Sequence, residues 1–143
     1  MLIAHVIREK GAGVHTIAAE TSLEDAARQL HERRVGALVV LDADASIVGV
    51  LSERDIIREL ARRGAAALED TVGAVMTRGV IVAGLDESID DGLSRMTDRR
   101  VRHLPVVDGA RLVGIVSIGD LVKHRIAKAE AEAAAMQAYI TAH

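Results

Sequence analysis

Short apolar runs alternate with amphipathic stretches along this chain, and the same succession occurs twice. Val14–Ala18 and Val80–Ala83 have the length and apolarity of buried strands. Ser22 then precedes Leu23, Ala26, Ala27 and Leu30 at helical spacing, with Glu24 and Asp25 in the first turn and Arg33 and Arg34 in the last. That arrangement predicts a capped helix whose charges oppose its dipole at both ends. Ser88, Asp90, Asp91, Arg99 and Arg100 repeat it. A hairpin follows in each case: Ala37–Leu41 and Ile47–Leu51 around a polar turn, then Leu104–Val107 and Leu112–Val116. Helices are predicted after each hairpin, from about Glu53 to Arg63 and from about Ile118 to Ile140, with Gly64–Ala67 as the link between copies.

The repeat is also visible residue by residue. Ser22–Asp42 set against Ser88–Asp108 gives 8 identities in 21 positions, and Ile47–Arg58 against Leu112–Lys123 gives 4 in 12. The predicted fold is therefore α/β (α+β), two β-α-β-β-α repeats with a long C-terminal helix. A unit of about 60 residues is marginal alone, so the repeats are expected to pack sheet to sheet as a pseudo-twofold pair. The expected division is 1–66 for the first repeat with an N-terminal helix, 67–127 for the second, and 128–143 for the helical extension.

Composition narrows the functions available. The chain has 143 residues, no cysteine, a net charge of −3 and a single aromatic residue, Tyr139. This excludes thiolate zinc sites and cysteine nucleophiles, and offers neither the basic surface nor the stacking rings that nucleic-acid binding uses. The histidines His5, His15, His31, His124 and His143 lack ligand spacing, so no metal site is expected. No apolar run approaches the roughly 20 residues of a membrane span, and the expected location is the cytoplasm.

Candidate chemistry lies after the third strand of each copy, where the chain reads Gly49-Val50-Leu51-Ser52-Glu53-Arg54-Asp55 and Gly114-Ile115-Val116-Ser117-Ile118-Gly119-Asp120. At a strand-to-helix junction, Ser at the N-cap and Asp three residues later form a capping box. The same geometry also suits a nucleotide. Helix N-terminal amides and a serine hydroxyl favour phosphate, and a carboxylate accepts ribose hydroxyls.

These motifs, together with Val35–Asp42 and Val101–Asp108, resemble a tandem pair of cystathionine-beta-synthase (CBS) domains, the Bateman module, over nearly the whole chain. The resemblance implies a regulatory module that binds AMP, ADP, ATP, NAD(H) or S-adenosylmethionine in clefts between the repeats. It places Ser52 and Ser117 on phosphate, and Asp55 and Asp120 on ribose. Thr16, Ile17 and Ala18 in one copy, and Val82, Ala83 and Gly84 in the other, would lie beside adenine. Arg102 and His103 would reach phosphate, where the first copy has Gly36 and Ala37; the first copy also has Arg54 where the second has Gly119. Pro105, the only proline, is expected at a sheet edge or cleft wall because it lacks a ladder donor.

No nucleophile with a neighbouring base is legible, so the chain is not expected to be an enzyme. Nucleotide hydrolysis and a structural dimerisation module with degenerate clefts are the alternatives. The stripe Val122, Ile126, Ala129, Ala133, Met136 and Ile140 continues beyond the repeat and needs a partner surface. A homodimer is therefore expected, with a downstream protein partner that the sequence does not name.

Overall fold

A computed structural model describes residues 1–11 and 13–142; Ala12 and His143, the latter among the histidines weighed above, lie outside the described residues. The elements follow the order α1 (Ile3–Lys10), β1 (Thr16–Ala18), α2 (Leu23–Arg33), β2 (Ala37–Leu41), β3 (Ile47–Ser52), α3 (Glu53–Arg63), a 3-10 helix (Gly64–Glu69), α4 (Val72–Val75), β4 (Ala83–Gly84), α5 (Ile89–Arg99), β5 (His103–Asp108), β6 (Arg111–Ser117) and α6 (Ile118–Ala142). Residues Val14–Ile81 form one compact unit, and the N-terminal segment joins the chain from Val82 onward in a second.

In the first unit β1 runs parallel to β2, and β2 pairs antiparallel with β3. The side-chain oxygen of Ser22 accepts the Asp25 amide at 3.1 Å, which starts α2. At its other end Arg34 adopts a left-handed conformation (φ 55°), and the Val35 amide donates back to Leu30 O. The helix buries Leu23, Ala26 and Leu30 against Ile17, Leu38, Val40, Leu51 and Ile56, with Val72, Val75 and Met76 closing the core.

The second unit follows the same plan with the order β4-β5-β6. Ser88 caps α5, Arg100 (φ 56°) ends it, and both hairpins shift register at the same place, after Val40 and after Val106. Leu104, Val106 and Val116 from the sheet, Ile89 and Met96 from α5, and Leu121 from α6 are among its buried apolar residues, joined by Ile3 and Val6 of α1.

Helix α1 thus packs on the second repeat, touching β4, β6 and α6, and not on the first repeat with which the sequence division had grouped it. The reason is visible in a symmetry of backbone bonds. Leu2 bridges Ser88, and Ile3 and Ala4 donate to Glu87 O and Leu85 O. In the first unit Thr71 bridges Ser22, while Val72 and Gly73 donate to Thr21 O and Ala19 O. The segment leading into each repeat therefore closes the core of the other.

That closure explains the glycine in each Gly-x-x-Ser-x-x-Asp motif. A Cβ on Gly49 would stand 2.4 Å from Met76 Sδ and 3.0 Å from the Thr77 carbonyl oxygen; one on Gly114 would stand 2.6 Å from Ile7 Cδ1. The lead-in helices rest on bare backbone.

Pro105 corrects another expectation. It lies in β5, the central strand of its sheet, rather than at an edge. Its counterpart Val39 donates an amide to His15 O (3.4 Å) and pairs with Thr16, whereas proline has no N–H to give. Pairing on that side begins one residue later, at Ala83↔Val106, so β4 holds two residues where β1 holds three.

Substituting Gly49 by Ala is expected to destabilise the protein by about 1–3 kcal/mol, the usual range for overpacking. Gly114→Ala should cost less, because the flexible end of Ile7 can turn aside whereas the Thr77 backbone cannot. Chemical denaturation of both variants checks this; equal losses would mean that the lead-in helices do not rest on these glycines.

Candidate functional site

The two strand-to-helix junctions are built alike. In the first, the Ser52 amide donates to Asp55 Oδ2 at 2.9 Å, and the Asp55 amide donates to Ser52 Oγ at 3.3 Å. In the second, the Ser117 amide donates to Asp120 Oδ2 at 2.9 Å, and the Asp120 amide to Ser117 Oγ at 3.0 Å. The capping box is therefore real in both copies. Each serine keeps its own hydroxyl proton, so it remains a donor for a ligand.

A second bond joins the start of the hairpin to each helix. The Glu53 amide donates to Gly36 O and the Ile118 amide to Arg102 O, both at 2.9 Å. Gly36 and Ala37, or Arg102 and His103, are thereby held beside the Ser-x-x-Asp turn. Two amides of each first turn are spent on these bonds and on the serine. The helix N-terminus alone is a weaker phosphate cradle than four open amides would be.

The surroundings of the two aspartates differ. Asp55 is buried, with Arg58 Nη2 3.1 Å and Thr77 Oγ1 3.5 Å from its Oδ1. Asp120 is about a quarter exposed, with its side chain at 27%, and its Oδ2 also receives Lys10 Nζ at 2.8 Å. Lys10 donates as well to Ile115 O at 2.8 Å, which uses two of its three protons. The Ser117 amide and Lys10 Nζ thus converge on the same oxygen, Asp120 Oδ2. Burial pushes the Asp120 carboxyl up, but the Lys10 ammonium and the Ser117 amide outweigh it, and the net shift is downward.

The remaining expected residues are placed as follows. Ile17 and Ala83 are buried, and the Ile17 side chain belongs to the core cluster, so this position can offer a ligand only its backbone; Thr16 and Ala18 are exposed. The Val82 carbonyl accepts from Arg95, and Pro105 is buried in mid-sheet. Arg54, Gly119 and Arg102 are exposed beside the turns. A shallow open depression lined by Leu30, Arg34, Val35, Gly36 and Glu53 reaches the first junction from the end of α2 but touches neither Ser52 nor Asp55. Donors and an acceptor converge at the junction rather than in this depression.

Lys10 and Thr77 were absent from the sequence reading. Lys10 lies 110 residues from Asp120, and no local pattern joins them. The signal available was the likeness of Val6-Ile7 to Val75-Met76, which marks the two lead-in segments as equivalent.

A family model for the CBS domain matches residues 8–62 and again 72–127. The chain belongs to the CBS-domain family. Its two repeats form a tandem CBS pair, a regulatory module. Among solved structures, the CBS-domain protein ATU1752 from Agrobacterium tumefaciens is 39% identical with a TM-score of 0.83, covering 87% of this chain and 92% of that one. The CBS domain pair of protein MJ0100, in complex with 5′-methylthioadenosine and S-adenosyl-L-methionine, is 28% identical with a TM-score of 0.74, covering 90% and 98%. The mitochondrial CBS domain-containing protein CBSX3 of Arabidopsis thaliana is 29% identical over 146 residues, 96% of this chain and 71% of its own length. Among the described residues, no helix is long and apolar enough to cross a membrane.

Lys10→Met should raise the Asp120 carboxyl pKa, because burial then acts against the Ser117 amide alone. A carboxyl held low in the folded state contributes stability above the ordinary carboxylate range, and that contribution is lost as pH falls through its lowered pKa. The wild type should therefore melt above Lys10→Met near neutral pH, by the equivalent of at most about 1 kcal/mol for so exposed a pair. The gap should close as the solution is acidified below the carboxylate range. An identical gap at pH 7 and pH 3 would show that Lys10 acts only through packing.

Proposed function

We propose that this CBS pair is a sensor that binds an adenine nucleotide, AMP, ADP, ATP or NAD(H), at the Ser-x-x-Asp junctions, and signals occupancy to a protein partner without turning its ligand over. The observation that carries the reading is the duplicated junction. Each copy presents a serine hydroxyl with a proton to give and an aspartate fixed by its neighbour's amide, next to the first residues of a hairpin. A phosphorylated nucleoside needs those two functions, a donor for phosphate and an acceptor for the ribose diol.

The unlike surroundings favour the second junction as the primary site. The Asp120 side chain is 27% exposed, with Lys10 on its Oδ2 and Arg102 at the start of the adjoining hairpin, whereas Asp55 is buried and both its oxygens are engaged. That MJ0100 was solved with two adenosine-containing molecules supports the adenine preference.

The test is thermal melting of ligand-stripped protein against a nucleotide panel. A ligand at 100 times its Kd stabilises the fold by about 2.7 kcal/mol, which raises Tm by several degrees. AMP, ADP, ATP or NAD(H) should do so, guanine and pyrimidine nucleotides less, and none should be hydrolysed on incubation. Asp120→Asn keeps an acceptor for the Ser117 amide but removes the charge, and should weaken the shift more than Asp55→Asn. Replacing Arg102 and His103 together should weaken AMP binding far more than adenosine binding. A flat response across the panel would refute the nucleotide reading, and equal losses for AMP and adenosine would remove Arg102 and His103 from the phosphate.

A further inference from the structure

The end of α1 and the start of α6 are tied by two side-chain pairs set one helical turn apart. Lys10 Nζ reaches Asp120 Oδ2 at 2.8 Å, and Glu9 Oε2 stands 3.1 Å from Nε2 of His124, one turn further along α6. Lys10 is the last residue of its helix, Gly11 leaves it at φ 93°, and its side chain is 41% exposed. A flexible four-carbon stem at a helix end keeps one position only if that end is itself anchored. The His124 side chain is 12% exposed, so its ring gives Glu9 a fixed point on α6.

Among the described residues, the first unit has no such tie. Ile7 corresponds to Met76 and Asp120 to Asp55, so Arg78 takes the place of Glu9, Gly79 that of Lys10, and Glu59 that of His124. Glu59 accepts from Arg62 and Arg63 on its own helix, and Arg78 donates to Gly73 O within its own lead-in segment. The tie belongs to the Asp120 corner and is not a feature of the repeat.

His124 is the member of the tie that changes charge near neutral pH. The elements packed against α6 are α1, α5 and β6. From α1, His5 takes the Leu2 amide and Arg8 is exposed. From α5, Asp90 pairs with Arg125 and Arg95 with Glu87, while Asp91, Asp98 and Arg99 are exposed. The one charged residue of β6, Arg111, stands at the strand's far end, and on α6 itself Lys123 is exposed and Lys128 pairs with Glu132. Among the described residues, Glu9 is the carboxylate within ion-pair distance of the ring. An imidazole changes charge between about pH 5 and 8, and its second proton turns a neutral hydrogen bond to Glu9 into an ion pair.

The geometry points to Glu9 and His124 as positioning residues for Lys10: protonation of His124 tightens the hold on the last turn of α1, keeps the ammonium on Asp120, and makes nucleotide affinity at this corner rise as pH falls. The effect on affinity rests on the proposed nucleotide site, but the tie itself is measurable without ligand. In ligand-free full-length protein, the Asp120 carboxyl carbon followed by NMR from about pH 8 to about pH 5.5 should shift in step with the His124 ring. Asp120 stays ionised over that range, because despite burial the Lys10 ammonium and the Ser117 amide hold its carboxyl low. In Glu9→Gln the ring still titrates, and the Asp120 response should fall about twofold or more, since the charged partner is gone. AMP should bind His124→Gln about threefold more weakly than wild type near pH 5.5 and equally near pH 8, a ratio that cancels the ionisation of AMP and of His103. An Asp120 carbon that ignores the ring, an undiminished response in Glu9→Gln, or the same AMP ratio at both pH values would overturn the positioning role. Failure of the wild type to bind any adenine nucleotide at either pH would overturn the nucleotide reading instead, and the ligand-free titration would still decide the tie.

Discussion

The structure depends on the reciprocal bond between a serine and the aspartate three residues after it, made where a strand turns into a helix. It ends β3 and β6, starts α3 and α6, and orients the carboxylate at the same time. A cap of this kind contributes about 0.5–2 kcal/mol, which is modest. Its larger effect is positional: the hairpin start is bonded to the first helical amide, so each sheet, helix and carboxylate forms one rigid corner. Under the proposed function, ligand binding uses the same two side chains that cap the helix there.

The second constraint is long-range. Each corner carries a glycine on which the lead-in helix of the opposite repeat rests, Met76 over Gly49 and Ile7 over Gly114. This arrangement brings Thr77 to Asp55 and Lys10 to Asp120. The Thr77 hydroxyl and the Arg58 guanidinium on Asp55 Oδ1, against the Lys10 ammonium on Asp120 Oδ2, make the two corners chemically different even though the Ser-x-x-Asp motifs are the same.

The parts of the fold governed by local rules were legible in the sequence. Ser22 and Ser88 start their helices, α3 spans Glu53–Arg63 as its spacing predicts, and the register of both hairpins follows the apolar runs. Features governed by distant contacts were not legible. The side of the molecule on which α1 packs depends on backbone bonds to Leu85 and Glu87, more than 80 residues away. The shortness of β4 reflects a missing N–H on Pro105 in a neighbouring strand, which period counting along β4 itself does not reveal. Lys10 entered the candidate site for the same reason. The residues of the motif were found; the residue that sets the charge at Asp120 was not.

The proposed function requires that a nucleotide be recognised at these corners. The most direct measurement is an AMP titration of isotopically labelled protein, followed through assigned backbone amides by NMR. The largest saturable shifts are expected at Arg102, Ser117 and Asp120, with weaker changes at Ser52 and Asp55. Saturable shifts confined to residues remote from both junctions, or none at millimolar AMP, would contradict it.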